Sequence, residues 1–442
     1  MVAADQGAAT LRAWIPDVAQ RREATIAAVI EPLGTAAIHS LVDGLISRNR
    51  HIHERECINL NPATNIMNPL AEAALASGLG SRPSLGYAGD KYEMGLEAIE
   101  EIEVITSDLA RRVFAARHVE LRVASGSMAN LYAFMATCRP GDSIIVPPAS
   151  IGGHVTHNTA GAAGLYGLDI HEAPINAHLY TIDAVGLREL AQRVQPKLIT
   201  VGASLNLTPH PVEEIRAVAD EVGAFVLFDA AHACGMIAGH VWANPLAQGA
   251  DLMTMSTYKS LGGPAGGLVF TNRDDIAERL DSIAYPGLTA NFDVATTASL
   301  AISLLDWIDH GDAYAAAMVT NASALAQALL ARDIPVFTTS LGPTTTHQFA
   351  VDARGWGGGH AAAQRLRDAN LLASAIGLPF EGGMPGLRLG TPEVTRLGLG
   401  MEDMLMVAGL INDALRGDPT SVAARTTALR SHHTALRYVR TG

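Results

Sequence analysis

Residues 252–267 read LMTMSTYKSLGGPAGG, and they place a lysine between hydroxyl side chains and a run of glycines. The chain holds only three lysines, Lys91, Lys197 and Lys259. An amine held dry and apart from other cations loses basicity and becomes a nucleophile suited to Schiff-base formation. Asp229 closes the apolar run AFVLFD, where a lone charge is costly to bury unless something positive meets it. His232 follows three residues on. Ser125-Gly126-Ser127 stands where an apolar run gives way to a helical one, and hydroxyls with free amides at a helix start make an anion or phosphate site. Small neighbours of the lysine, Ser256, Ser260, Gly262 and Gly263, leave room for a planar group against the backbone. Acid for a pyridinium nitrogen, turn for a phosphate and lysine for an aldehyde together describe a pyridoxal-phosphate site.

These residues need elements to hold them. Short apolar runs, VELRVAS, DSIIVPP, LDIHEAP, KLITVGA, AFVLFDAA, DLMTMSTY and GGLVFTN, alternate with helical spacing between residues 96 and 300. Strands of that kind imply a mostly parallel sheet covered by helices on both faces, an α/β architecture with its ligand at the carboxyl ends of the strands. Residues 1–60 read as a helical arm broken by Pro16 and Pro32. Residues 61–300 read as a large cofactor-binding α/β domain opening on an Asn-, Gly- and Pro-rich loop. Residues 301–442 read as a smaller α+β domain: two helical runs, two strand-like runs (THQFAVD and GLRLGTP) and a closing helix near 402–415.

Composition narrows the function. A formal net charge of −13 argues against nucleic acid or an anionic membrane as partner. Cys57, Cys138 and Cys234 are odd in number and widely spaced, which fits a reducing cytoplasm and not a disulfide framework. The amino terminus lacks the features of a signal peptide, and no run of about 18 uninterrupted apolar residues predicts a membrane span. No GxxxxGK[ST] or GxGxxG motif occurs. His154 and His157, in GGHVTH, have HxxH spacing without an acidic or cysteine partner nearby in sequence, so no metal site is expected.

ASGSMANLYAFMATCRPGDSII, IGGHVTH, FDAAHACGMIAG, STYKSLGGPAGG and GLRLGTPEVTRLG, in that order, resemble the landmark segments of the serine hydroxymethyltransferases, fold-type I pyridoxal-phosphate enzymes. The resemblance runs from about residue 55 to 415. It implies a seven-stranded, mostly parallel sheet and a set of residue roles. Ser125, Gly126, Ser127 and Ser256 would hold the phosphate and its surroundings, and His154 would stack on the ring. Asp229 would pair with the ring nitrogen, Ser204 and His232 would lie near the ring oxygen, and Lys259 would carry the cofactor. Arg388 would bind the substrate carboxylate with its planar fork. Tyr87 and Tyr92 would reach in from a partner subunit, as would the loop bearing Asn291, which implies a homodimer, or a tetramer built from it, with shared sites.

Departures from the pattern are local. Leu85 stands where folate-using members carry a glutamate, and the folate-contacting asparagine stretch appears as LLASAIGLP. Tyr258 replaces a histidine, Ala265 an arginine, and Ala290-Asn291 glycines. The folate step with tetrahydrofolate is therefore the part of the family reaction that the sequence does not support. Glu93, at a family tyrosine position, is a candidate replacement base. NPATN–MNP, GSRPSLGY–GDKYEMGLEAIE and MSTYKSLGGPAGG resemble the α-methylserine aldolase and hydroxymethyltransferase branch. The expected chemistry is reversible aldol cleavage of a β-hydroxy-α-amino acid, α-methyl-L-serine foremost, to alanine and a formaldehyde unit. Alternatives are β-elimination, decarboxylation, threonine transaldolation, or a silent cofactor-binding scaffold.

Overall fold

The computed structural model describes residues 12, 14–380 and 383–441. These fall into two units, one ending at Cys57 and one beginning at Ile58. The first contains helices α1 (Asp17–Ile30) and α2 (Thr35–His51) and a closing π-turn, Ile52–Glu56. Pro16 precedes α1, the favoured side of a helix start, and the α1–α2 break contains Pro32. Most of the helical run expected before Pro16 lies outside the described residues.

The second unit is built on a seven-stranded sheet. In chain order its strands are β1 (His118–Glu120), β2 (Ser143–Val146), β3 (Asp169–Glu172), β4 (Leu198–Val201), β5 (Phe225–Asp229), β6 (Leu252–Ser256) and β7 (Gly267–Thr271), and they lie side by side as β1-β7-β6-β5-β4-β2-β3. Only β7 runs antiparallel to its neighbours. All seven apolar runs of the sequence become these strands.

Both faces of the central strands are buried, and the period of two sorts their residues between two cores. Ile144, Leu198, Leu227, Leu252 and Val269 enter one core. Their neighbours Ile145, Ile199, Phe228, Met253 and Phe270 enter the other. Each position is apolar because neither face meets water, which is why the runs show no polar alternation.

Helices α3 (Pro69–Leu75), α4 (Glu97–Val113) and α5 (Gly126–Thr137) precede or follow β1. The largest helix, α6 (Val294–Leu330, 37 residues), packs against α3, α4 and α7 (Met401–Arg416). The two helical runs expected there are thus one continuous helix. Gly311 lies within it because a side chain there would press on Trp307 at 3.1 Å and the Ala238 carbonyl at 3.4 Å. Among the described residues, α6 is long and apolar enough by composition to cross a bilayer, but half of that window is buried in the core. Beyond α6, β8 (Gln348–Asp352), β9 (Ser374–Ile376) and β10 (Gly386–Gly390) form an antiparallel sheet in the order β8-β10-β9. The sequence reading anticipated β8 and β10 but not β9, nor the helix Thr420–Ser431 that follows α7.

Candidate active site

The carboxyl ends of β1, β2, β4, β5 and β6 converge on one small cleft with a cavity volume of about 80 Å³. Ser125, Gly126, Ser127, Asn130, His154, Ser204, Asp229, His232, Ser256, Tyr258 and Lys259 line it. The sequence separates these residues by up to 134 positions (259 − 125 = 134); the parallel sheet brings them to one edge.

Ser125 caps α5, its Oγ accepting from the Met128 amide at 3.2 Å. Gly126 opens that helix, and a Cβ there would intrude on Ser256 Oγ, with Ser256 Cβ at 3.3 Å and Cα at 3.6 Å. Glycine at 126 lets α5 approach β6 with Ser256 Oγ left in place, and the approach forms a cradle of hydroxyls and helix-start amides suited to phosphate.

Asp229 is buried at the end of β5. Burial alone would raise its pKa, but the His157 imidazole at 2.9 Å, the Asn130 amide at 2.9 Å and the Ala231 amide at 2.9 Å hold it well below the usual carboxylate range. Asn130 is itself fixed by Thr254, whose hydroxyl donates to its carbonyl at 2.7 Å. A permanent anion is thus held where a pyridine nitrogen would need one. Neither His157 nor Asn130 is legible in the sequence as a partner of Asp229: HxxH spacing points to metal alone, and a helix asparagine carries no signal until the fold puts it beside β5.

Lys259 is 7 % exposed. Burial lowers its amine to about 8, with Asp229 opposing the shift and Arg388 adding to it. Its loop is braced by backbone bonds from Gly262 to the Lys259 carbonyl and from Gly263 to the Thr257 carbonyl, at 2.9 and 2.8 Å. Ser260, Gly262 and Gly263 do not make room in the cleft, contrary to expectation. Ser260 Oγ instead accepts from the Gly235 amide and donates to the His232 carbonyl, both at 3.0 Å. Gly262 takes φ +68° against Arg396 and Asn65, so these small residues build the turn behind the lysine.

Arg388, on β10, is 6 % exposed and has no carboxylate partner among the described residues. Its Nε donates to Ser374 Oγ at 3.1 Å, and its Nη1 donates to the Ser204 carbonyl at 2.6 Å and faces His232 Nε2 at 3.3 Å. Burial lowers its pKa to about 10, which still leaves it cationic at neutral pH. Burial and the nearby cations Lys259 and Arg388 hold His232 neutral. His154 is lowered mainly by burial, and its Nδ1 accepts from the Thr156 amide at 3.3 Å.

Arg388 borders this cleft through Ser204 and His232 without lining it, and four further expected residues lie apart from it. Tyr87 and Tyr92 belong to the hairpin Gly86–Tyr87/Asp90–Lys91 and its exit, and Tyr92 is 78 % exposed. Tyr87 donates to Asp281 Oδ2 at 3.0 Å. Glu93 is exposed beside Tyr92, and Asn291 lines a separate groove with Gly266 and Phe292. The hairpin is pinned by Lys91, whose buried ammonium lies 2.6 Å from Glu103; Glu103 also accepts from Ser84 at 2.6 Å.

An anion-fixed carboxylate, a hydroxyl cradle at a helix start and a dry lysine on a mostly parallel sheet fit pyridoxal phosphate, and the class they define is the fold-type I pyridoxal-phosphate enzymes. The profile of serine hydroxymethyltransferase matches residues 39–411, and the chain belongs to that family. It is 57 % identical to an alpha-methylserine aldolase of Variovorax paradoxus, over 97 % of this chain and 98 % of that protein. It is 36 % identical to the serine hydroxymethyltransferase of Methanopyrus kandleri, over 92 % and 96 % of the two chains. The crystal structure of L-threonine transaldolase from Pseudomonas fluorescens in its internal aldimine state superposes with a TM-score of 0.84 at 23 % identity, covering 92 % of this chain and 94 % of that one, and shares the fold. The chain is a pyridoxal-phosphate-dependent enzyme.

Proposed function

We propose that the chain cleaves α-methyl-L-serine reversibly to alanine and formaldehyde, with no obligatory tetrahydrofolate. The observation that carries this reading is the 57 % identity, over nearly the whole length of both chains, to an alpha-methylserine aldolase. The departures at Leu85 and in LLASAIGLP, where folate-using members carry their folate contacts, support the absence of an obligatory folate step.

In this reading Lys259 would hold the cofactor through Nζ, Asp229 would face its ring nitrogen, and Ser125, Gly126, Ser127 and Ser256 would hold its phosphate. His154 would cover the ring, while Ser204 and His232 would flank its oxygen. Bound there, pyridoxal phosphate supplies an electron sink that weakens the α-carbon bond standing perpendicular to its ring. The chain's own task is to choose that bond. Arg388 grips the carboxylate and thereby sets the rotation about the α-carbon. Lys259, with an amine near 8, gives or takes a proton close to neutral pH.

The β-hydroxyl must lose a proton for the carbon–carbon bond to break. Glu93 from a second copy is the proposed acceptor, and Tyr87, Tyr92 and Asn291 are proposed to complete the same neighbouring site. Their position outside the cleft of their own chain supports a homodimer with shared sites. A two-lobe division near residue 300 and a cytoplasmic location, which three buried cysteines outside any disulfide suit, belong to the same proposal.

The test is incubation of the purified holoenzyme with α-methyl-L-serine, with and without tetrahydrofolate, while formaldehyde is trapped. Formaldehyde and alanine in equal amounts without folate support the reading. Carbon dioxide release in place of formaldehyde, or no turnover, would reject it.

A further inference from the structure

We infer that Ser374 and Gln348 are positioning residues that aim the carboxylate-binding guanidinium of Arg388. The inference rests on the carboxylate role proposed above for Arg388. A guanidinium has five N–H donors and no acceptor. In this structure Nε is used by Ser374 and Nη1 by the Ser204 carbonyl and His232, so Nη2 keeps both protons free of any protein partner among the described residues.

The acceptors are all neutral. A carboxylate in their place would neutralise the cation and compete with the substrate; a hydroxyl and a carbonyl fix direction and leave the charge intact. Ser374 is directly opposite Arg388 in the antiparallel pairing of β9 with β10. Its hydroxyl meets Nε from a rigid strand, which fixes the plane of the fork.

Gln348 acts one step further back. It is fully buried at the start of β8, and its amide satisfies both neighbours in one orientation, donating to the Ser204 carbonyl at 3.2 Å and accepting from the Asn206 amide at 2.9 Å. The carbonyl that holds Nη1 is therefore itself held. Ser374 stands within LLASAIGLP, a stretch that departs from the family pattern, and there it supplies the arginine's Nε acceptor.

The experiment compares two ligands on the holoenzyme: alanine, which has a carboxylate, and ethylamine, which has none. Both are titrated through the change in the cofactor's visible absorption. Ser374→Ala is expected to weaken alanine roughly tenfold and leave ethylamine within twofold, since one hydrogen bond to a charged group is lost. Ser374→Thr is expected to recover most of the loss. Gln348→Leu is expected to show the same selectivity with Ser374 intact. Unchanged alanine binding in Ser374→Ala, or equal weakening of both ligands, would overturn the inference. Should Gln348→Leu not fold, the smaller change Gln348→Asn, which withdraws the amide from the Ser204 carbonyl and keeps the site polar, decides for Gln348. Failure of the aldol reading looks different: alanine binds normally, and α-methylserine releases no formaldehyde.

Discussion

Gly126 and Ser256 offer a test of the phosphate cradle that separates sterics from chemistry. An alanine at 126 would place Cβ 3.3 Å from Ser256 Cβ and 3.6 Å from its Cα, distances that need little adjustment. Only Ser256 Oγ is too near, and it makes no hydrogen bond among the described residues, so rotation about χ1 relieves the clash. Gly126→Ala should cost the fold no more than about 1 kcal/mol, the scale of a strained rotamer. The hydroxyl, however, no longer faces the cleft. If it donates to the phosphate, its loss is worth about 1.5–3 kcal/mol, or roughly 10- to 150-fold in cofactor affinity. Ser256→Ala should lose the same amount, and the double variant should be no worse than either single one, a coupling equal to the whole single effect. Cofactor dissociation constants of the four proteins, with denaturant unfolding of the cofactor-free chains as control, measure this. Effects that multiply in the double variant would refute the argument, because the methyl group would then obstruct the cradle by itself.

Other perturbations give equally definite outcomes. Arg388→Lys should cut kcat/KM for α-methylserine roughly a hundredfold, mostly through KM, because an ammonium cannot present a planar fork; steady-state kinetics check it. In the cofactor-free chain Lys259 titrates near 8, below an unfolded value of about 10.4. Between those values the unfolded chain holds a proton that the folded chain has released, so stability rises with pH through that window, and below it the full cost of burying the charge is present. Unfolding of wild type against Lys259→Met from pH 7 to 10.5 should show this slope only in the wild type. Lys91→Met should destabilise the chain by about 2–4 kcal/mol, since Glu103 is left part-buried and unpaired. Adding Glu103→Leu should restore most of that loss in a melting experiment.

The sheet was legible because its strands are buried on both faces: uninterrupted apolar runs such as KLITV and AFVLF have one structural solution when helical segments lie between them. The site was legible where a polar residue ends such a run, as Asp229 and Lys259 do. His157, Asn130 and Ser374 were not, because each acts through a neighbour that only the tertiary fold supplies. Ser260, Gly262 and Gly263 were read as lining when they are scaffolding. Smallness tells that something approaches the backbone, not whether it is a ligand or Arg396. α6 was read as two pieces because a glycine inside a helix looks like a stop until the indole of Trp307 and the Ala238 carbonyl are seen against it.

The uninterrupted course of α6 bears on how the molecule can be handled. At 1.5 Å per residue it is a rod of about 55 Å, and residues 300 and 301 are successive steps along it. Splitting the gene there would sever a strut, leaving each fragment with an apolar stump. A biosensor or split reporter made from this enzyme is better cut at the exposed turn of residues 340–341, where no rod is broken.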